Sequence, residues 1–203
     1  MTAALRIMRE EGLERLTMRR LAAELDTGPA SLYVYVQNMA ELHAALLDEL
    51  LADIALPHTG PVARWRDGLI DIMTAYTVLL FQHPSLARSV LTLRPSGPNY
   101  LRLIDTLLGL LNAGGVPQRQ AAWGVNLLLQ HGTATAAEQG TRGESVEADG
   151  EQLALMWLVE EASSEDYPNI DRARSEIFSG TGPERLSWAL GVLIDGIVTT
   201  SAL

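Results

Sequence analysis

Apolar side chains recur along this chain every three to four residues, the spacing that gathers them on one face of a helix. From Ala3 to Glu11 the shared face is Ala4, Leu5 and Met8, with Gly12 as the stop. Thr17 is suited to cap a second helix, in which Met18, Leu21, Ala22 and Leu25 repeat at helical spacing before Asp26-Thr27-Gly28 breaks it. Pro29 opens a short third helix, where its missing N–H costs nothing. There Leu32 and Val36 point one way, leaving Ala30, Ser31, Tyr33 and Tyr35 to point elsewhere. Asn38 followed by Glu41 resembles a reciprocal cap for a fourth helix, which turns Leu42, Leu46, Leu50 and Ile54 inward and ends before Pro57.

His58-Thr59-Gly60-Pro61 reads as a joint. Beyond it the pattern predicts helices at about 63–82, 84–92, 98–113, 117–139, 151–163, 171–178 and 183–202. Pro84, Pro98, Pro117 and Pro183 all fall at helix starts, as their fixed φ favours. Gly140 to Gly150 is polar and acidic and is expected to be a mobile surface loop. No alternation of strand type is visible, so the fold class is all-α.

Composition agrees and removes several function classes. Of 203 residues 47% are hydrophobic but only 5% aromatic, a Leu- and Ala-rich balance that favours helices. The chain has no cysteine, which excludes disulfides and Cys-based zinc sites. No apolar run approaches the roughly 20 residues a membrane span needs, and Met1–Arg6 does not read as a signal peptide. A cytoplasmic protein with no membrane partner is expected. The net charge of −10 is unusual for a nucleic-acid binder. Its surplus lies beyond Asn38, however, because Arg6, Arg9, Arg15, Arg19 and Arg20 balance Glu10, Glu11, Glu14, Glu24 and Asp26.

The second and third helices, with small Ala22 near a tight turn at Asp26, suit a helix-turn-helix whose second helix enters the major groove. Periodicity alone leaves open an αα-hairpin used only for packing. The run Leu16-Thr17-Met18-Arg19-Arg20-Leu21-Ala22-Ala23-Glu24-Leu25, then Ser31-Leu32-Tyr33-Val34-Tyr35-Val36 and Asn38-Met39-Ala40-Glu41-Leu42, resembles the N-terminal domain of the TetR family. The resemblance implies a DNA-binding domain over residues 1–41 and a helical ligand-binding and dimerisation domain over residues 42–203. It implies that Leu32 and Val36 seat the recognition helix, and that Pro29, Ala30, Ser31, Tyr33 and Tyr35 touch bases or phosphates. Pro29 and Ala30 suit a thymine methyl, and Ser or Tyr hydroxyls suit phosphate oxygens. Thr17, Arg19, Arg20, Thr27, Asn38 and Met39 complete the expected DNA contacts. Where the family often has Lys this chain has Met39, which reduces that contact to a backbone N–H. The chain also begins inside the usual first helix, without the basic arm that commonly precedes it. Either the true start lies further upstream or the protein manages with fewer phosphate contacts.

Further along, Trp65-Arg66 with Leu69, Leu93-Arg94-Pro95 followed by Tyr100, Gly115 before Pro117, and Glu138-Gln139 resemble the core domain of the tetracycline-repressor branch of that family. By that resemblance the magnesium-binding histidine falls at Val90 and three drug-binding residues at Ala55, Ile72 and Thr106. Only Arg94, Pro95, Glu138 and an aromatic at Tyr76 remain, which implies a less polar ligand without metal. Trp123, Asn126 and Gln130, on one apolar helix, are candidate effector contacts beside Tyr76 and Arg94. The same pattern also fits Asn126, Gln130 and His131 bonding neighbouring helices or lining a dimer seam. His83 reads as a helix-end residue, and His43 and His58 as solvated. The resemblance makes the 117–139 and 183–202 helices a four-helix homodimer interface, with Gly124, Gly132, Gly191 and Gly196 allowing close approach.

The function expected is a sequence-specific DNA-binding transcriptional regulator of double-stranded operator DNA, a repressor released by a small hydrophobic effector. A helical interaction module that no longer binds DNA is the alternative. Enzyme activity is not expected, since no nucleophile–base pair, carboxylate pair or metal cluster stands at a recognisable spacing, and neither a cofactor nor a metal is expected.

Overall fold

The computed structural model describes residues 1–56, 64–91, 95–144 and 146–202, with the side chains of 144, 146 and 147 excluded. The elements in the described residues are helical throughout. The first group comprises α1 (Thr2–Glu11), a 3-10 turn at Leu13–Arg15, α2 (Met18–Glu24), α3 (Pro29–Leu32) and α4 (Met39–Leu51). The second comprises α5 (Trp65–Phe81), α6 (Pro84–Val90), α7 (Pro98–Ala113), α8 (Gln118–Glu144), α9 (Val146–Glu160), α10 (Pro168–Ile177) and α11 (Gly182–Thr199).

The first group is built by local capping chemistry. The Thr17 hydroxyl accepts from the Arg20 N–H at 3.1 Å and so starts α2. Asp26 ends it in the left-handed region, at φ 49°. The N–H of Asp26 bonds Ala23 O and that of Thr27 bonds Ala22 O, a Schellman closure with aspartate in the position that favours glycine. This turn also rotates Leu25 outward: it is 49% exposed, whereas the helical repeat placed it with buried Met18, Leu21 and Ala22. Asn38 caps α4 through its side-chain oxygen, 2.9 Å from the Glu41 N–H. The Glu41 carboxylate accepts from Gln37 N rather than from Asn38, one residue earlier than a reciprocal box.

In the second group α8 is the central post, packed against α5, α6, α7, α9 and α11. One continuous core runs from Ala4 and Ile7 through Leu46 and Leu47 to Leu128 and Ile194, joining the two groups. Glycines set two of the close approaches. A Cβ at Gly132 would lie 2.7 Å from Thr77 Oγ1 on α5, and one at Gly124 would lie 2.8 Å from Ile197 on α11. Gly191 has only the end of Arg66 nearby and Gly196 has nothing within 4 Å, so neither mediates a close approach within the protomer. Gln120, buried on α8, donates to the carbonyls of Ile197 and Val198. Arg66 on α5 donates to Asp195 at 2.6 Å and to Gly191 O, which holds the outer side of α11.

The stretch 140–150 is not the loop its polarity suggests. α8 runs through Gly140 to Glu144 and α9 begins at Val146, five residues earlier than the periodicity starts it. Here Gly140 packs on Pro84, where a Cβ would come within 2.9 Å, so tertiary contact overrides the low propensity of glycine. The expected joint at 58–61 and the Leu93-Arg94 turn lie outside the described residues.

Candidate DNA interface and effector face

α2 and α3 present one polar and aromatic surface. Leu32 is buried and Val36 packs partly against the core, so the recognition segment is anchored from below. Thr27, Pro29, Ala30 and Ser31 are all exposed, while Tyr33 is 51% and Tyr35 82% exposed. Large aromatics left bare on a turn of a small unit have no structural return, and their exposure is what a contact surface requires. Val34 is 80% exposed and joins this surface, although alternation with its neighbours gave no signal for it. The exposed N-terminal caps at Thr17 and Asn38 add backbone N–H groups suited to phosphate oxygens.

The basic groups divide into two sets. Arg20 donates to Glu11 at 2.5 and 3.2 Å and to Glu24 at 2.8 Å, and Arg6 pairs with Glu10 and Glu24. Arg20 therefore braces α1 against α2. The guanidinium holds the Glu11 carboxyl below the usual carboxylate range. Arg9, Arg15 and Arg19 are exposed and make no ion pair among the described residues. Met39 is half-buried against the core, so its position offers an N–H but no side chain to DNA.

Polar contacts tie the DNA-binding unit to the body, among them His43 on α4 with Ser89 on α6. Ser85 on α6 donates to Glu14 in the 3-10 turn, with Arg88 Nη2 at 3.8 Å from the same carboxylate. Asp48 on α4 accepts from the first turn of α7. Asp48 was not legible as a functional position, because a lone carboxylate among leucines on a helix carries no motif.

The candidate effector residues are not brought together. Tyr76 is 2% exposed and its phenol, 2.7 Å from Thr133 Oγ1, is already bonded. Thr133 donates its own proton to Leu129 O, so Tyr76 is the donor to Thr133. Burial pushes the phenol's pKa up. Trp123, Asn126 and Gln130 are all exposed on the opposite side of α8, because the buried positions 121, 125, 128 and 132 take the inward face. Within the protomer they therefore share no pocket with Tyr76. Arg94 lies outside the described residues. Val90 and Ile72 are buried apolar side chains.

The exposed stripe of α8 leads into a groove of about 720 Å³ between α6, α8 and α9. Leu91, Ala134 and Ala137 form its apolar floor, and Arg88, Glu138 and Arg142 its charged rim. Arg88 Nη1 bonds Thr141 across it at 2.9 Å. Two buried imidazole nitrogens have no partner among the described residues, Nε2 of His43 and Nε2 of His131. His43, expected to be solvated, is instead half-buried against α6.

Comparison with family models matches residues 1–46 to the N-terminal model of bacterial regulatory proteins of the tetR family. Residues 56–201 match the tetracyclin repressor-like C-terminal domain. The chain belongs to the TetR family. The HTH-type transcriptional repressor DrrR1 of Streptomyces coeruleorubidus is 28% identical, over 96% of this chain and 74% of its own length. The class A tetracycline repressor of Escherichia coli is also 28% identical, over 96% and 87%. Among solved structures, a candidate transcription regulator SCO7704 from Streptomyces is 48% identical with a TM-score of 0.83, covering 100% of this chain and 94% of its own. ActR of Streptomyces coelicolor in complex with actinorhodin is 32% identical with a TM-score of 0.85, covering 97% and 92%.

As a TetR-family protein this chain is a DNA-binding transcriptional repressor and not an enzyme, working as a homodimer on double-stranded operator DNA under control of a small-molecule effector. No helix among the described residues is long and apolar enough to cross a membrane.

Proposed function

We propose that this TetR-family repressor reads its operator through Thr17, Arg19, Thr27, Pro29, Ala30, Ser31, Tyr33 and Tyr35. The observation that carries the reading is the exposure of Tyr33 and Tyr35 directly above the buried anchor Leu32. Arg9, Arg15 and Arg19 supply the free positive charge, and the N–H groups at Asn38 and Met39 supply a phosphate cradle. Its place of action is the cytoplasm.

We further propose that release is driven by a largely apolar organic effector that needs no metal. Val90 and Ile72 give that side of the domain apolar groups in place of ligating ones. The groove by Leu91, Ala134 and Ala137 has the volume of a small-molecule site. Gln130 lies one turn before Ala134 on the same stripe of α8 and so borders one end of the groove, with Asn126 a further turn away. The neighbour ActR was solved with actinorhodin and with (S)-DNPA, which supports an organic effector of that size.

A mobility-shift assay on the DNA upstream of the protein's own coding region tests both halves. The protein should retard this DNA, and Tyr33→Ala should abolish retardation while preserving fold and dimer. Actinorhodin as probe should release the wild type, and tetracycline with magnesium should not. No retardation by wild type, or retention of it by a folded Tyr33→Ala protein, would sink the DNA reading. Release by magnesium–tetracycline would sink the reading of the effector.

A further inference from the structure

We propose that Asp48 is a positioning residue for DNA recognition: it latches α4 to the N-terminus of α7 and so sets the separation of the two recognition helices in the dimer. The proposal deepens the release mechanism above and rests on it.

α4 is the last helix of the DNA-binding unit and packs on both α6 and α7. Its buried face is Leu42, Leu46, Leu47, Leu50 and Leu51, within which Asp48 is the odd member, 8% exposed. A carboxylate taken out of water in apolar surroundings is tolerated only with donors aimed at it. Asp48 has them. Its Oδ1 accepts from the Tyr100 N–H at 2.8 Å and its Oδ2 from Asn99 Nδ2 at 3.2 Å. The same Asn99 amide donates to the Asp48 carbonyl at 3.0 Å. Both partners lie in the first turn of α7, whose N–H groups have no partner inside the helix and whose dipole favours an anion.

Gly97 shows that the space is made for this carboxylate. Its φ of −80° and ψ of 169° are open to any residue, so the backbone does not ask for glycine. A Cβ there would fall inside the Asp48 carboxyl group. Space for the latch is the reason glycine fits here.

Leucine contacts between helices can slide, because dispersion is non-directional. Hydrogen bonds to a buried anion cannot, since they weaken steeply over a few tenths of an ångström. Asp48 therefore fixes the angle of α4 where the packing around it would allow a range. Asp48 lies about 15 Å along α4 from Asn38, so a tilt of roughly 10° about it moves the recognition unit by about 3 Å. An effector that displaces α7 would move α4 through the same bonds.

The chain has no cysteine, so Gln37→Cys, at an exposed position beside the recognition segment, gives one spin label per protomer. Label-to-label distances are measured in the free homodimer by pulsed electron resonance. The parent should give a single narrow distance. Asp48→Ala should shift it by about 3 Å or double its width and weaken operator binding about tenfold, with the dimer intact by gel filtration. Gly97→Ala should do the same, and adding it to Asp48→Ala should change nothing further. That non-additivity is the outcome a general packing defect would not produce. Asp48→Asn, which keeps the shape and the acceptor for Tyr100, should give an intermediate width, and it decides the matter if Asp48→Ala fails to fold. A parent distribution already as broad as the variants', unchanged distances in the folded Asp48 variants, or additive effects would overturn the proposal. The distances need neither DNA nor effector, so failure of the latch and failure of the operator reading are seen separately.

Discussion

At the residue scale the informative groups are polar side chains the core has taken in. The Ser89 hydroxyl donates to Ser85 O, so the His43 Nδ1, 3.1 Å from that oxygen, carries its proton as a donor. Nε2 is then an acceptor, buried and without a partner among the described residues. Protonation would place a charged N–H where nothing accepts it, and burial holds the His43 pKa below its ordinary 6.5. His83 is lowered as well, by burial first and then by Arg9. A depressed histidine lets the unfolded chain take up protons first, so stability rises with pH through this range. The melting temperature should be level above pH 6.5 and fall as pH drops below it, and His43→Asn should flatten that fall. A wild-type curve that is flat between about pH 5.5 and 7 would contradict the buried-neutral assignment. Glu14, held low by the Ser85 hydroxyl, acts in a separate window: its contribution is lost as pH falls below the ordinary 4.5.

At the scale of elements α8 carries most of the architecture, and its two faces do different work. Gly132 sits on the inner face against Thr77, whose hydroxyl is bonded to Met73 O at 2.8 Å. Gly132→Ala forces a methyl into that contact and should cost about 1–3 kcal/mol, an overpacking penalty. For a chain of this size that is several degrees of melting temperature by calorimetry. A gain in stability from better helix propensity would show that the α5–α8 seam can relax. The outer face, with Trp123, Asn126 and Gln130, shares its helical spacing with the inner one. Periodicity locates a helix's faces, but a helix apolar on both sides gives no sign of which one meets its own core.

At the scale of the whole molecule the protomer leaves too much apolar surface bare to stand alone. Trp123 on α8 and Trp188 and Val192 on α11 are exposed, Trp188 at 73%. α9 adds Leu153, Leu155, Met156, Trp157 and Leu158. Exposed aromatics at this density mark an interface, and for a homodimer the second copy covers them. Trp188→Asp should move the protein from dimer to monomer in sedimentation and lower operator affinity by at least tenfold, since two half-sites are no longer engaged together. A Trp188→Asp dimer of unchanged affinity would place the seam elsewhere.

Helix periodicity, proline starts and caps at Thr17 and Asn38 were legible in the chain because they depend on neighbours a few residues apart. Leu-Tyr-x-Tyr over buried Leu32 was legible for the same reason. Only the tertiary structure showed that Arg20 answers Glu11 and Glu24, that Gly140 is held helical by Pro84, and that Tyr76 bonds Thr133 while Trp123, Asn126 and Gln130 face outward. Asp48 belongs with these. Its partners lie some fifty residues away on another helix, and a buried charge has meaning only once the donors that surround it are in place.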